Sequence, residues 1–194
     1  MNRFHRWYCR TGHWRHAVQD ELLPWALRDL DLGDDVLEIG PGPGLTTDLL
    51  RQQVERLTTV EIDATLAGKL RDRLAGTNVT VEEGDATALP FPDLSFTAAV
   101  CFTMLHHVPS AELQDRLLRE ARRVVRPGGV FAGSDSRTST VFRLVHLGDT
   151  MVLVDPDNFA GRLEAAGFID VEVRPAKQAF RFRATVPAHS VPQD

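Results

Sequence analysis

The stretch Val36–Leu50, VLEIGPGPGLTTDLL, passes from an apolar run through alternating glycine and proline into a segment of helical period. It reads as a strand, a tight turn and the opening of a helix, with Leu45, Leu49, Leu50 and Val54 at helical spacing. Glycine tolerates the turn's backbone and lets a ligand approach the main chain at a helix N-terminus. A dinucleotide fingerprint would put its third glycine or alanine where Leu45 stands. Pro41 and Pro43 carry no N–H, which removes two donors that a pyrophosphate cradle would use. Glu38 sets a carboxylate just ahead of the glycines, suited to a cationic ligand and opposed to a phosphate.

Outward from this stretch, short apolar runs alternate with helical segments, the pattern of βαβ units and a mainly parallel sheet. The spacing predicts strands over Asp35–Ile39, Leu57–Ile62, Val79–Glu83, Phe96–Phe102 and Val130–Gly133, and a helix over Ala64–Leu74. The clearest helix has Ser110 as its cap and Leu113, Leu117, Leu118, Ala121, Val124 and Val125 on one face. Arg122, Arg123 and Arg126 stand near its negative end, and Pro127-Gly128-Gly129 stops it. Asp157–Ala166 reads as a further helix, and Phe168–Val173 with Ala179–Val186 as a closing strand pair. Two segments break the rhythm. Residues 1–32 read as helical, with Trp14, Val18, Leu22 and Trp25 on one face and a bend at Pro24. Residues 137–154 carry Phe142, Leu144, Val145 and Leu147. Ligands of open α/β sheets lie beyond the carboxyl ends of the strands, so both segments, with Trp7 and Tyr8, are candidate pocket walls; plain docking on the sheet is the alternative.

A hydrophobic share of 43% and a charged share of 25% place the 194-residue chain among ordered globular proteins, with length for one sizeable core. The expected organisation is one domain over 1–194: a helical cap (1–32), an α/β core (35–186) and a loose tail (187–194). No apolar run approaches the roughly 20 residues of a membrane span, and the basic N-terminus lacks the apolar stretch of a secretory signal. Cys9 and Cys101 have neither disulfide nor metal spacing, so a cytoplasmic location without a membrane partner is expected. His5, Cys9, His13 and His16 match no standard metal site, and none is predicted. The net charge of −5 argues against a nucleic-acid partner. Yet residues 1–19 hold Arg3, Arg6, Arg10 and Arg15 and no acid, either as a solvated helix face or as an attraction surface for an anion.

E-x-G-x-G-x-G after a first strand resembles motif I of the class I S-adenosylmethionine-dependent methyltransferases, carried here by Glu38, Gly40, Pro41, Gly42 and Gly44. S-adenosylmethionine bears an ammonium and a sulfonium and no phosphate, in keeping with the loop. Glu61, followed by Ile62, stands where that family places an acid on the ribose hydroxyls. Asp85, followed by Ala86, stands where its aspartate meets the adenine amino group. SFTAAVCFTMLHHV, which includes Phe102, and REARRVVRPGGVF resemble the small-molecule, type 11-like branch. The resemblance implies a three-layer Rossmann-like sandwich with helices on both faces. Its mostly parallel seven-stranded sheet would run 3-2-1-4-5-7-6 with strand 7 antiparallel. It implies methyl transfer from S-adenosylmethionine to a small-molecule acceptor.

Other readings stay open. Motif I and TTVEID (Thr58–Asp63) also resemble the ribosomal-RNA adenine dimethylases. Those enzymes carry N-x-P-[YF] where this chain has Cys101-Phe102-Thr103-Met104, so the clamp for an exocyclic amine is missing. A noncatalytic S-adenosylmethionine-binding protein is a further reading, and a nicotinamide oxidoreductase is weakened by the two prolines and Leu45. Methyl transfer needs a base only when the acceptor is protonated. His106, His107 and His146 are the candidates, the last with Arg143 and Asp149 on its helical face. The competing readings are a structural or capping role for His106 and His107 and a solvated polar face for His146. Read only as a ribose acceptor, Glu61 predicts that its loss leaves the unliganded stability nearly unchanged.

Overall fold

The computed structural model describes residues 16–137 and 151–188. Strands β1 (Asp35–Ile39), β2 (Arg56–Glu61), β3 (Val79–Glu83), β4 (Phe96–Phe102), β5 (Val125–Ser136), β6 (Ile169–Pro175) and β7 (Ala179–Thr185) share one sheet. Their order is β3-β2-β1-β4-β5-β7-β6. Neighbours from β3 to β5 run parallel, with Leu37 beside Thr58 on one side and Ala99 on the other. β7 is antiparallel to both β5 and β6. The expected order and the antiparallel seventh strand are both present.

The central strands are apolar almost without interruption because both sheet faces are covered. Side chains alternate across a strand, so Leu37 and Ile39 join one core while Val36 joins the other. The first core packs β1, β4 and β5 under α4 (Ala111–Val124) and α5 (Pro156–Ala165), through Leu117, Leu118, Phe159 and Leu163. Each such buried leucine contributes roughly 1.5–3 kcal/mol. The second core sets Leu57, Ala98 and Val100 against α2 (Leu45–Leu50) and the N-terminal helical segment. That segment is a π-helical turn over Ala17–Leu22 followed by the short α1 (Leu23–Ala26). Pro24 lies in the first turn of α1, where the backbone passes from the π-helical turn into the α-helix. α3 (Ala64–Leu74) packs Ala67, Leu70 and Leu74 on Val81 of β3.

The helix after β4 begins as expected, with Ser110 Oγ accepting from the Leu113 N–H at 3.2 Å. β5 departs from the expected Val130–Gly133. It starts at Val125, directly after α4, and includes Pro127-Gly128-Gly129 as an irregular stretch. Opposite it, β4 advances only from Phe96 to Ala98 while β5 advances from Val125 to Val130. Glycine is needed where the two strands crowd, since a Cβ on Gly129 would lie 2.3 Å from the Thr97 carbonyl oxygen. The extra residues are absorbed as a bulge, and pairing resumes.

Candidate functional site

The parallel strands all deliver their carboxyl ends to one edge, and the connections diverge to opposite faces between β1 and β4, leaving a crevice. A cavity of about 460 Å³ occupies it. Its walls are Gly40–Pro43 after β1, Glu61–Asp63 after β2, Gly84–Thr87 after β3 and Phe102–Met104 after β4. Val18 and Leu22 from the N-terminal segment add an apolar side, with His107, Val108, Leu113 and Leu117. Ile62, 69% exposed, is a large apolar side chain left open on this wall. Among the described residues no lysine or arginine lines the cavity, whereas Glu61, Asp63 and Asp85 do.

The loop's N–H groups are already engaged. Gly40 donates to the Val60 carbonyl at 2.9 Å, Gly44 to the Pro41 carbonyl at 2.9 Å, and Gly42 to Glu61 Oε2 at 3.0 Å. Gly42 has φ +54°, and a Cβ there would meet nothing within 4 Å. Gly44, at φ +84°, is the opposite case, because its Cβ would lie 2.3 Å from Leu70 Cδ1. One glycine keeps a space open and the other permits packing.

Glu61 is 7% exposed and accepts from two backbone amides, Gly42 through Oε2 and Asp63 through Oε1 at 2.9 Å. A carboxylate has about four acceptor positions, so both oxygens can still receive donors from the cavity. Because Glu61 also ties the glycine loop to the β2–α3 turn, its loss removes native contacts as well. These contacts favour a loss of unliganded stability, in place of the unchanged stability that a ribose acceptor alone implies. Asp85 Oδ1 accepts from the Thr87 N–H at 2.8 Å, a local turn that fixes the carboxylate at the mouth of β3.

Glu38 does not line the cavity. Its oxygens accept from the Thr46 and Thr47 hydroxyls, the latter at 2.6 Å, in the first turn of α2. Burial pushes its carboxyl up to about 7; the two hydroxyls pull it down, and the nearby charges of Asp48 and Glu61 add to the rise. Thr46, which is on the wall, links Glu38 to the cavity by a hydrogen bond.

The adjacent histidines part company. His106 is 1% exposed and off the wall, with its Nδ1 2.5 Å from Asp135 Oδ1 and its backbone N–H donating to Asp135 Oδ2 at 2.9 Å. His107 is on the wall, its ring 4.2 Å from that of His106. The Val152 N–H donates to the His106 carbonyl, and Gln114 donates to the Leu105 and Val152 carbonyls, tying the returning chain to this turn. Thr103 holds φ +51°, a costly conformation for a β-branched residue, at the end of β4. His146, Arg143, Asp149, Phe142 and Leu144 lie outside the described residues, as do Trp7, Tyr8 and Trp14.

A methyltransferase-domain family model matches residues 37–133, which span β1 through most of β5. The chain belongs to the class I S-adenosylmethionine-dependent methyltransferases. It is 43% identical over 109 residues to the probable ribosomal RNA small subunit methyltransferase A of Natronomonas pharaonis, covering 54% of this chain and 38% of that one. It is 30% identical over 167 residues to the chloroplastic 2-methyl-6-phytyl-1,4-hydroquinone methyltransferase 2 of Oryza sativa, covering 84% and 47%. The chain thus spans less than half the length of either relative. In fold it resembles a chain of the complex between the Haloferax volcanii Trm112 methyltransferase activator and a methyltransferase, at TM-score 0.72 and 15% identity over 96% of this chain and 99% of that one.

Three polar residues at or behind the cavity are not singled out by the sequence: Thr46, Thr47 and Asp135. Thr46 and Thr47 were detectable as polar residues beside the glycines. Asp135 was not, since it meets His106 only through the pairing of β4 with β5. Among the described residues no helix is long and apolar enough to cross a membrane.

Proposed function

We propose that this chain transfers a methyl group from S-adenosylmethionine to a small-molecule acceptor. The observation that carries the reading is the cavity itself: a glycine loop whose amides are spoken for, walls with carboxylates and, among the described residues, no lysine or arginine, and an apolar side beyond them. Such walls repel phosphate and suit a ligand with an ammonium, a sulfonium and a ribose. Gly40, Pro41 and Gly42 form the surface approached by the ligand, and Gly44 the turn behind it. Glu61 accepts from the ribose hydroxyls and Asp85 from the adenine amino group, with Ile62, Ala86 and Phe102 against the base. Glu38 acts from behind, through α2 and Thr46.

When bound, the cofactor supplies an activated methyl group on sulfur. The chain aligns donor and acceptor and excludes water, for which the apolar side of Val18, Leu22, Leu113 and Leu117 is suited. Where the acceptor is a hydroxyl, thiol or ammonium, His107 is the candidate placed to take its proton.

Calorimetry is expected to give binding of S-adenosylmethionine and S-adenosylhomocysteine, with NAD far weaker. NAD binding as tightly would sink the reading. Incubation with labelled S-adenosylmethionine, a panel of small metabolites and cell extract should then label a small molecule. Label in RNA, with affinity falling steeply as salt rises, would favour the second reading, a nucleic-acid acceptor like that of the Natronomonas pharaonis relative. Binding without any transfer would mark a noncatalytic protein.

Glu61→Ala removes the acceptors for the sugar hydroxyls, and cofactor affinity should fall by roughly 2–3 kcal/mol. The melting temperature without cofactor should fall too, because the Gly42 and Asp63 amides lose their partner. Unchanged affinity would remove Glu61 from the site.

A further inference from the structure

Arg73, in the last turn of α3, reaches the glycine loop from outside the cavity. One end of its guanidinium, Nη1, donates to both oxygens of Asp48 at 2.7 Å, in the first turn of α2. The other, Nη2, donates to the carbonyls of Pro43 at 3.2 Å and Gly44 at 3.3 Å. A planar fork with several fixed donors can span such a set, and a lysine ammonium cannot.

We propose that Arg73 is a positioning residue for cofactor binding: it clamps the glycine loop in the shape that the ligand meets. The inference rests on the reading of this loop as the S-adenosylmethionine site. The loop needs such a clamp. Gly40, Gly42 and Gly44 all hold positive φ, and glycine has the widest backbone freedom. Pro41 and Pro43 donate no hydrogen bond that could hold it. Glu61 secures Gly42 from β2, and Arg73 secures Pro43 and Gly44 from α3, so the two ends of one β–α unit grip the loop. The absence of a side chain on Gly44 permits this grip, since a Cβ would sit 2.5 Å from Arg73 Nη2. A half-exposed ion pair such as Arg73–Asp48 adds little to stability by itself, so its effect falls on loop geometry.

Arg71 supplies the control. It lies on the same helix and also donates to a carbonyl, that of Val81 on β3, away from the loop. The experiment measures S-adenosylhomocysteine binding by calorimetry, and thermal unfolding without ligand, for wild type, Arg73→Ala, Arg73→Lys, Asp48→Asn and Arg71→Ala. Arg73→Ala is expected to weaken binding about tenfold, through the loss of charge-assisted bonds that shape the loop. Arg73→Lys and Asp48→Asn should fall between it and wild type. Arg71→Ala should lower the melting temperature while leaving the Kd within about twofold, as surface changes remote from a site do. Arg73→Ala binding like wild type, or Arg71→Ala weakening binding as much, would overturn the inference and leave the cofactor reading intact. Should Arg73→Ala fail to fold, unchanged affinity in both Arg73→Lys and Asp48→Asn overturns it equally. A wild-type protein that does not bind S-adenosylhomocysteine overturns the cofactor reading, and this inference with it.

Discussion

Gly42→Val is expected to abolish S-adenosylmethionine binding while the protein still folds. Gly42 lines the cavity, and a Cβ built there meets no protein atom within 4 Å. The branch point of the added side chain therefore meets open space at the cavity wall, the space proposed for the ligand. The protein's own cost is conformational. A β-branched residue at φ +54° is strained by about 1–3 kcal/mol, which a domain of this size tolerates as a lowered melting temperature. The cost to binding is larger, because the ligand would have to overlap the new side chain. Affinity should fall more than about a hundredfold, roughly 3 kcal/mol or more. Circular dichroism establishes the fold, and calorimetry with S-adenosylhomocysteine reads the loss. A variant that folds and binds normally would mean that no ligand approaches this loop.

The second large effect belongs to Glu38 and is a dependence of stability on pH. Its carboxyl stands near 7 in the folded chain against an ordinary 4.5, chiefly because burial disfavours the charged form. Below pH 4.5 the group is protonated in both states and contributes no difference. Between about 4.5 and about 7 the unfolded chain has released the proton and the folded chain retains it, so stability declines with rising pH. Above 7 both states are ionised and the loss is complete, amounting to about 3 kcal/mol at 1.36 kcal/mol per unit. Glu38→Gln has no proton to release. The stability difference between variant and wild type should therefore shift by about 3 kcal/mol in favour of the variant between pH 4.5 and pH 8. Denaturant unfolding across that range measures it. A difference independent of pH would mean that Glu38 does not titrate there.

β1, β3, β4 and α3 have the limits predicted from apolar period and turn residues, because each is a local pattern with local boundaries. β5 is longer than its apolar run Val130–Gly133. Pro127-Gly128-Gly129 carries every local sign of a break, and the strand continues through it because Val125 and Val130 pair with β4 on either side of the bulge and Gly128 and Gly129 exchange backbone hydrogen bonds with Val186. The glycine loop was legible as a ligand turn, and Glu61 as an acid near it. That Glu61 also serves as the loop's anchor was not.

The residues alone determined the βαβ rhythm, the phosphate-averse loop and, through motif order, the resemblance to the methyltransferases. Tertiary structure alone decided which of two adjacent histidines faces the cavity and which turns inward to Asp135. It also decided that Glu38 is held by α2 instead of lining the cavity, and that Arg73 reaches the loop from α3. The division has one physical cause. Periodicity and turn chemistry act between residues a few positions apart, and a sequence displays them directly. A side chain's partner across a sheet or between helices depends on register and packing angle, which the whole chain sets at once.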